Sequence, residues 1–269
     1  VVQHNMAASN ANRQLGISTN TLSKSTEKLS SGYRINRAAD DAAGLSISEK
    51  MRSQIRGLNK ASSNAQDGIS AIQTAEGALN EAHSILQRMN ELATQSANDT
   101  NTTADRKAVQ SEVNALTNEL SRIASTSQFN TQNLLDGTFT GKNLQVGALE
   151  NQKITISIGT MNAKALGVDS LDVKSFTKAG AAMTLIQKAI SKVSGQRSDL
   201  GALQNRLEHT VNNLDNISEN TQTAESRIRD TDMASEMVQY SATSIIQQAG
   251  QSMLAQANSQ TQGVLSLIQ

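Results

Sequence analysis

Few residues of this 269-residue chain could support catalysis or metal binding. The three histidines, His4, His83 and His209, lie far apart, and none belongs to a His-Glu-x-x-His zinc motif. Cysteine is absent, which excludes thiol catalysis, disulfides and Cys-ligated metals. Asp40 and Asp41 could form a catalytic carboxylate pair, but they directly precede a helical pattern, where aspartates cap helix ends. We therefore expect a protein that is not an enzyme and that holds no metal or cofactor.

The composition also argues against several binding functions. The 24 basic and 24 acidic side chains cancel, so the chain has no charge surplus that would attract nucleic acid or an anionic membrane. It has no run of about 18 apolar residues that could span a bilayer as a helix. Proline is absent and aromatic residues make up 2% of the chain. These features favour long, thin helices over a compact globule.

Three segments carry the heptad pattern of a coiled-coil seam, with small or apolar residues at alternating steps of three and four. They span residues 51–93, 109–123 and 186–228, the last including Leu214 and Ile217. The two long segments come from opposite parts of the chain and are similar in length. They predict an antiparallel pair with the shorter helix alongside, although a homotypic coiled coil has the same pattern.

The first helical pattern has clear limits. Asp40 and Asp41 place its start near Ala42, and the polar run 98–103 ends it. Three glycines lie inside the pattern, where a missing side chain would let another helix approach closely: Gly57, Gly68 and Gly77.

The middle of the chain, residues 126–180, changes period. Residues 143–146 and 153–158 alternate polar and apolar side chains, as half-buried strands do, and glycines supply the turns. This change argues against a homotypic coiled coil. The predicted fold is mainly α, an elongated antiparallel helical rod or coiled coil built from both chain ends, with a small β-hairpin region capping one end.

Both ends of the chain lack charged side chains, from Val1 to Asn12 and from Met237 to Gln269. The second stretch is rich in large apolar residues, and burying them would not by itself offset the conformational entropy of ordering an isolated helix. We predict ends that are disordered in the monomer and become helical against other chains. An ordinary flexible tail is the alternative, but such tails normally carry charge. The candidate assembly residues are Met237, Ile245, Ile246, Met253, Leu254, Val264, Leu265, Leu267 and Ile268.

Several strings resemble the bacterial flagellin family. They are EKLSSGYRIN at 27–36, DDAAGL at 40–45, DGIS at 67–70, QTAEGAL at 73–79, AESRIRDTDMA at 224–234 and VLSLI at 264–268. The resemblance covers both ends of the chain, while the part between about 140 and 180, the variable region of that family, is not recognisable. A minimal flagellin with a short middle region is implied.

The resemblance implies a domain organisation and a function. Residues 1–41 and 229–269 would form the innermost layer of a filament, D0, and residues 42–228 would form the helical rod D1 with the β-rich middle. The protein would be a structural subunit of the flagellar filament, an extracellular propeller for motility. A hook–filament junction protein, which has the same ends, is the alternative. A chemoreceptor hairpin is disfavoured because no membrane span is present.

Partners also follow from the resemblance. The subunit would polymerise with itself, pass unfolded through the type III export apparatus without a cleaved signal, and contact the filament cap and the hook-junction proteins. A cytosolic export chaperone would hold the C-terminal segment, about 229–269, as an amphipathic helix in a groove.

A receptor surface is implied by QRMNELATQ at 87–95, which resembles the flagellin segment that Toll-like receptor 5 of a host recognises. Gln87, Arg88 and Leu92 fall outside the heptad seam, so we expect them to be exposed. In the family a glutamate of the neighbouring helix joins them, and Glu112 matches by its setting. From the residues alone, Arg88 would be either a solvated charge or a partner of Glu91 three residues along the same helix. The same surface would face a neighbouring subunit in a filament, so only released monomer would present it.

Overall fold

The computed structural model describes residues 5–266, with side chains described through residue 260. The described part is mainly helical with two short antiparallel strand pairs. In chain order the elements are α1 (Met6–Ser31), α2 (Ala42–Ser96), α3 (Thr103–Thr126), β1 (Gln128–Phe129), β2 (Gln132–Asn133), β3 (Lys142–Gln145), β4 (Lys153–Ile156), α4 (Ala163–Leu166), α5 (Phe176–Arg229) and α6 (Met233–Ser266). These elements confirm the three predicted helices and the predicted hairpin.

The chain divides into two compact units, one made of 1–54 with 219–269 and the other of 55–218. We call them the terminal unit and the central unit. Within the described residues, no helix is both long enough and apolar enough to cross a bilayer.

The central unit is organised by antiparallel packing of α2 and α5. Ser62 Oγ donates to Asp215 Oδ1 over 3.0 Å, and Thr94 Oγ1 donates to the Met183 sulfur over 3.3 Å. Because the residue number rises on one helix as it falls on the other, the two helices run in opposite directions. Predicted seam residues such as Leu79 are fully buried, and α3 adds its own seam to the same core.

One predicted seam position is wrong. Ile217 was expected inside but is 37% exposed, and Ser218 is buried in its place. The Ser218 hydroxyl donates to Asn59 Oδ1 on α2 over 2.7 Å. A four-residue step from Leu214 to Ser218 therefore replaces the expected three-residue step, and a polar pair closes the interface.

The β3–β4 hairpin lies beside the interior of α2, so the prediction that it caps one end of the helices is wrong. Asn64 Nδ2 of α2 donates to the Gln145 carbonyl over 3.1 Å. Gly57 and Gly68 make this approach possible, since a Cβ atom there would collide with Ala148 and Leu144 respectively. The two glycines thus admit the hairpin region, not another helix. A Cβ atom at Gly77 would meet none of the described atoms within 4 Å, so close approach does not explain that glycine.

A buried glutamine joins α3 to the connection that leads into α5. Gln110 Nε2 donates to the Leu171 carbonyl over 2.8 Å, and its Oε1 accepts from Val173 N–H over 2.7 Å. The side chain thus pairs with an extended backbone as a neighbouring strand would. Gln110 is 7% exposed, so removing its side chain leaves both backbone groups without a hydrogen-bond partner at a site that water does not reach.

We expect Gln110→Ala to lower the free energy of unfolding by about 2 kcal/mol, because two buried backbone groups lose their partner. Urea denaturation followed by circular dichroism measures the change. Gln66→Ala, at an exposed position of α2, is the control. Equal effects of the two substitutions would contradict a role for the buried amide.

In the terminal unit, α1 and α6 form an antiparallel pair. Asn5 Nδ2 donates to the Ala257 carbonyl over 2.9 Å, and Lys28 Nζ lies 3.5 Å from a Glu236 carboxylate oxygen. Over residues 6–12 and 237–266 the structure therefore differs from the prediction that the chain ends are disordered in the monomer, while residues 1–4 and 267–269 lie outside the described part. The entropy estimate treated the C-terminal helix as isolated, whereas a partner helix is supplied by the same chain.

The α1–α6 pair is joined at one end by contacts between the loop that follows α1 and the segment that precedes α6. The loop after α1 turns through Gly32, whose φ of 75° favours glycine. Thr231 N–H donates to the Gly32 carbonyl over 3.0 Å, and Arg34 N–H donates to the Arg229 carbonyl over 2.7 Å. Arg229 also stacks 4.6 Å from the centre of the Tyr33 ring. The entry to α2 and the entry to α6 are thereby joined.

The predicted capping aspartates have different roles. Asp41 Oδ1 accepts from Gly44 N–H over 2.8 Å at the start of α2, as predicted. Asp40 instead closes the preceding loop, with its Oδ2 accepting from Arg37 N–H over 2.9 Å and from Asn36 N–H over 3.2 Å. These backbone hydrogen bonds lower the pKa of Asp40, so the loop contact is made by the charged carboxylate.

Candidate functional surfaces

The face of α6 that meets α1 is mostly polar or small. Apart from Ser244, its covered positions from 236 to 257 follow alternating steps of four and three: Glu236, Tyr240, Thr243, Gln247, Gly250, Leu254 and Ala257. This spacing is a heptad seam, but Leu254 is its one large aliphatic residue. Gly250 allows close approach to Leu15, and Gln247 Nε2 lies 3.3 Å from Thr19 Oγ1.

Most of the large apolar side chains of α6 lie outside that seam and face solvent, whereas Leu15, Leu22 and Leu29 of α1 are half-buried. Ile245 is 65% exposed and Ile246 is 57% exposed. We call the exposed apolar set of α1 and α6 the assembly surface. It consists of Met6, Ile17, Met233, Met237, Val238, Ile245, Ile246 and Met253.

Four of the predicted assembly residues lie on this surface: Met237, Ile245, Ile246 and Met253. Leu254 is half-buried in the seam with α1 instead, because it follows the heptad spacing from Gly250. Leu267 and Ile268 lie outside the described residues, as do the side chains of Val264 and Leu265.

The sequence reasoning missed Val238, which is 71% exposed. Val238 precedes Ile245 by seven residues, as Ile246 precedes Met253. Residues seven apart share a helix face, so this spacing could have placed Val238 on the same face as Ile245. Since α6 turns mostly polar or small side chains toward α1, its exposed aliphatic side chains remain uncovered in the single subunit. Apolar surfaces of this kind mark interaction sites.

The central unit presents a charged cluster where α2 meets α3. Arg88 Nη2 lies 2.9 Å from Glu112 Oε1, and Arg88 Nη1 lies 3.2 Å from Glu91 Oε2. Hydrogen bonds to Glu112 and Glu91 raise the pKa of the guanidinium above its ordinary value, so Arg88 stays charged. Both the predicted neighbour Glu112 and the simple helical partner Glu91 are thus in contact with it.

The prediction that Leu92 is exposed is wrong, since it is 1% exposed. Leu92 belongs to the central core together with Val109 and Val113 of α3. The physical reason is that α3 and α5 both pack against this part of α2. The buried face of α2 is therefore wider here than the face that a single heptad pattern describes. Gln87 is exposed as expected, and its Nε2 lies 3.0 Å from His83 Nε2.

Among the residues that the structure describes, no three His, Asp or Glu side chains are grouped so that they could hold a metal ion. His83 is half-buried on α2 and His209 is exposed on α5. His4 lies outside the described residues.

Comparisons with known proteins place the chain in a family. Residues 2–140 match the bacterial flagellin N-terminal helical region, and residues 183–268 match the bacterial flagellin C-terminal helical region. A flagellin of Halalkalibacterium halodurans is 55% identical over 100% of this chain and 99% of its own length. The flagellar filament 33 kDa core protein of Treponema phagedenis is 51% identical, with 100% and 99% covered.

A solved structure agrees with these relatives. The crystal structure of Bacillus cereus flagellin matches 56% of this chain and 88% of its own, with 32% sequence identity and a TM-score of 0.50. Together, the two family regions and the full-length relatives show that this chain belongs to the bacterial flagellin family.

Proposed function

We propose that the chain is a structural subunit that polymerises into the bacterial flagellar filament. The observation that carries the proposal is the assembly surface, where large apolar side chains of α1 and α6 face solvent although the two helices already pair through a separate seam. Copies of the chain would cover these side chains by packing their helix pairs against one another. The name of the Treponema phagedenis relative, a filament core protein, supports the proposal.

The proposed organisation assigns residues 1–41 and 229–269 to the inner filament layer and residues 42–228 to the surrounding helical rod. Deleting residues 237–269 tests it. The buried central core should keep the shortened chain folded, while polymer growth fails because most of α6 is gone. Sedimentation measures polymer and thermal unfolding measures the fold. Normal polymerisation of the shortened chain would contradict the proposal.

The rival identity, a hook–filament junction protein, predicts a different product. Growth seeded on filament fragments, followed by electron microscopy, separates the two. A filament subunit extends the seeds into long tubes, whereas a junction protein adds a short ring and stops.

The proposed location is the extracellular flagellum, reached by unfolded passage through the type III export apparatus. The uncharged stretch of α6 from Met237 onward supports a cytosolic chaperone as an earlier partner, since an apolar helix face needs cover before assembly. Filament cap and hook-junction proteins are the remaining proposed partners.

A pull-down of the chaperone with the full chain and with the 237–269 deletion tests the contact between the chaperone and the C-terminal segment, which only the full chain should make.

The second proposed role is recognition of released monomer by Toll-like receptor 5 of a host. The proposed contact residues are Gln87, Arg88 and Glu112, which are exposed and adjoining. Leu92 is left out because it is buried. The Arg88–Glu112 contact holds the guanidinium in place across two helices, which lowers the conformational cost of binding it.

We expect Arg88→Ala to weaken receptor binding by about tenfold or more while leaving the urea midpoint unchanged, because exposed ion pairs add little to folding. Surface plasmon resonance with the receptor ectodomain measures the affinity. Arg122→Ala is the matched control, since Arg122 is also an exposed arginine paired with a glutamate of its own helix. Equal affinity of Arg88→Ala and the control would contradict the assignment.

A further inference from the structure

The methionines of this chain are unevenly distributed. Of the eight, four lie on the assembly surface and are exposed by about half or more: Met6 at 76%, Met233 at 47%, Met237 at 50% and Met253 at 65%. The other four are covered to different degrees. Met89 and Met161 are in the core, at 0% and 3% exposure, and Met51 and Met183 are half-buried.

Exposure determines how readily a thioether is oxidised, because an oxidant must reach the sulfur. The chain has no cysteine, so no thiol of its own competes for the oxidant. A peroxide transfers one oxygen atom to the methionine sulfur, which loses two electrons and becomes a sulfoxide. The peroxide O–O bond breaks, and hydrogen peroxide is reduced to water.

We propose that these four methionines make assembly sensitive to oxidation: peroxide converts them to sulfoxides in the free subunit, and the oxidised subunit is excluded from the polymer. The inference rests on the proposed function, since it requires the assembly surface to be covered by other copies. A sulfoxide is polar and bears a hydrogen-bond acceptor, so covering it with an apolar partner costs free energy that covering a thioether does not. Assembled subunits are protected because their methionines are no longer accessible.

Peptide mass spectrometry on peroxide-treated monomer tests accessibility. The four surface methionines should oxidise at least about tenfold faster than Met89 and Met161, whose oxidation requires opening of the core. In assembled filaments the four surface methionines should oxidise no faster than Met89 and Met161. Oxidation of the surface set at the same rate in monomer and filament would overturn the proposal.

Sedimentation of oxidised subunits tests the consequence. The monomer concentration needed for assembly should rise by about tenfold for each sulfoxide that must be covered. Treatment with methionine sulfoxide reductases should restore assembly, because the reduction regenerates the thioether.

A variant with Met6, Met233, Met237 and Met253 all replaced by Leu keeps the surface apolar but cannot form sulfoxides there. It should assemble equally well before and after peroxide treatment. Met51→Leu with Met183→Leu is the matched control and should stay as sensitive as the unaltered chain. Loss of assembly by the oxidised four-leucine variant, or normal assembly of the oxidised unaltered chain, would overturn the inference. Failure of untreated unaltered chain to polymerise would instead overturn the proposed function.

Discussion

Replacing Ile245 and Ile246 with serine should raise the monomer concentration needed for polymerisation by about a thousandfold. Each isoleucine is more than half exposed in the subunit, and covering it in a polymer contributes about 2 kcal/mol, so the pair contributes about 4 kcal/mol. Neither residue belongs to the seam with α1, so the subunit should keep its α1–α6 pair. Sedimentation across a concentration series measures the effect, with circular dichroism to check the helix content.

The matched control replaces Gln248 and Gln251 with serine. Both positions are exposed on the same helix, and serine has about the helix propensity of isoleucine and slightly less than that of glutamine, so the control loses at least as much helix propensity. The control should polymerise at nearly the concentration of the unaltered chain. If the isoleucine and glutamine variants polymerised alike, the assembly surface would have no role in polymer contacts.

Leu86→Ala should lower the free energy of unfolding by about 2–5 kcal/mol, because it leaves a cavity in the central core. Leu86 is 0% exposed on the seam of α2 and belongs to the cluster that joins α2, α3 and α5. The surrounding helices are held by contacts on several sides, which limits their collapse into the cavity. Urea denaturation gives the free energy.

Leu185→Ala on α5 is the control for this core substitution. Leu185 is 41% exposed, so the same chemical change removes less buried area and leaves no enclosed cavity, and we expect a smaller effect of about 1 kcal/mol. Similar losses at the two positions would mean that the heptad seam of α2 is not the core of the central unit.

Much of the fold could be predicted from the sequence because its helices are long and their apolar spacing is regular. The start of α2 at Ala42 and the β3–β4 hairpin were both found from local patterns. Contacts between segments that are distant in the sequence could not be found in this way. The place of the hairpin beside α2 depends on Gly57 meeting Ala148, and neither residue indicates the other in a linear pattern.

The two-residue strands β1 and β2 were also missed. Asn130 and Thr131 between them have φ values of 46° and 63°, a turn that residues other than glycine rarely adopt. Two residues are too few to show an alternating pattern, so periodicity gave no signal there.

The candidate surfaces were predictable only where composition or spacing along the chain marked them. The uncharged, apolar C-terminal stretch indicated an assembly role through composition alone. The family resemblance grouped the two chain ends in one layer, but the heptad pattern did not show the pairing of α6 with α1. The seam carries Thr243, Gln247 and Gly250, and a search for apolar heptads passes over such residues. Leu92 was misplaced because a heptad describes contact with one partner helix, whereas two helices cover α2 at that point.

The structure of filaments grown from the purified chain, solved by electron cryomicroscopy, tests the central claim most directly. The quantity to measure is the solvent exposure of Ile245 and Ile246 in the polymer. Burial of both side chains against α1 or α6 of neighbouring copies is the predicted result. Filaments in which both side chains stay as exposed as in the single subunit would contradict the claim that the assembly surface joins the copies.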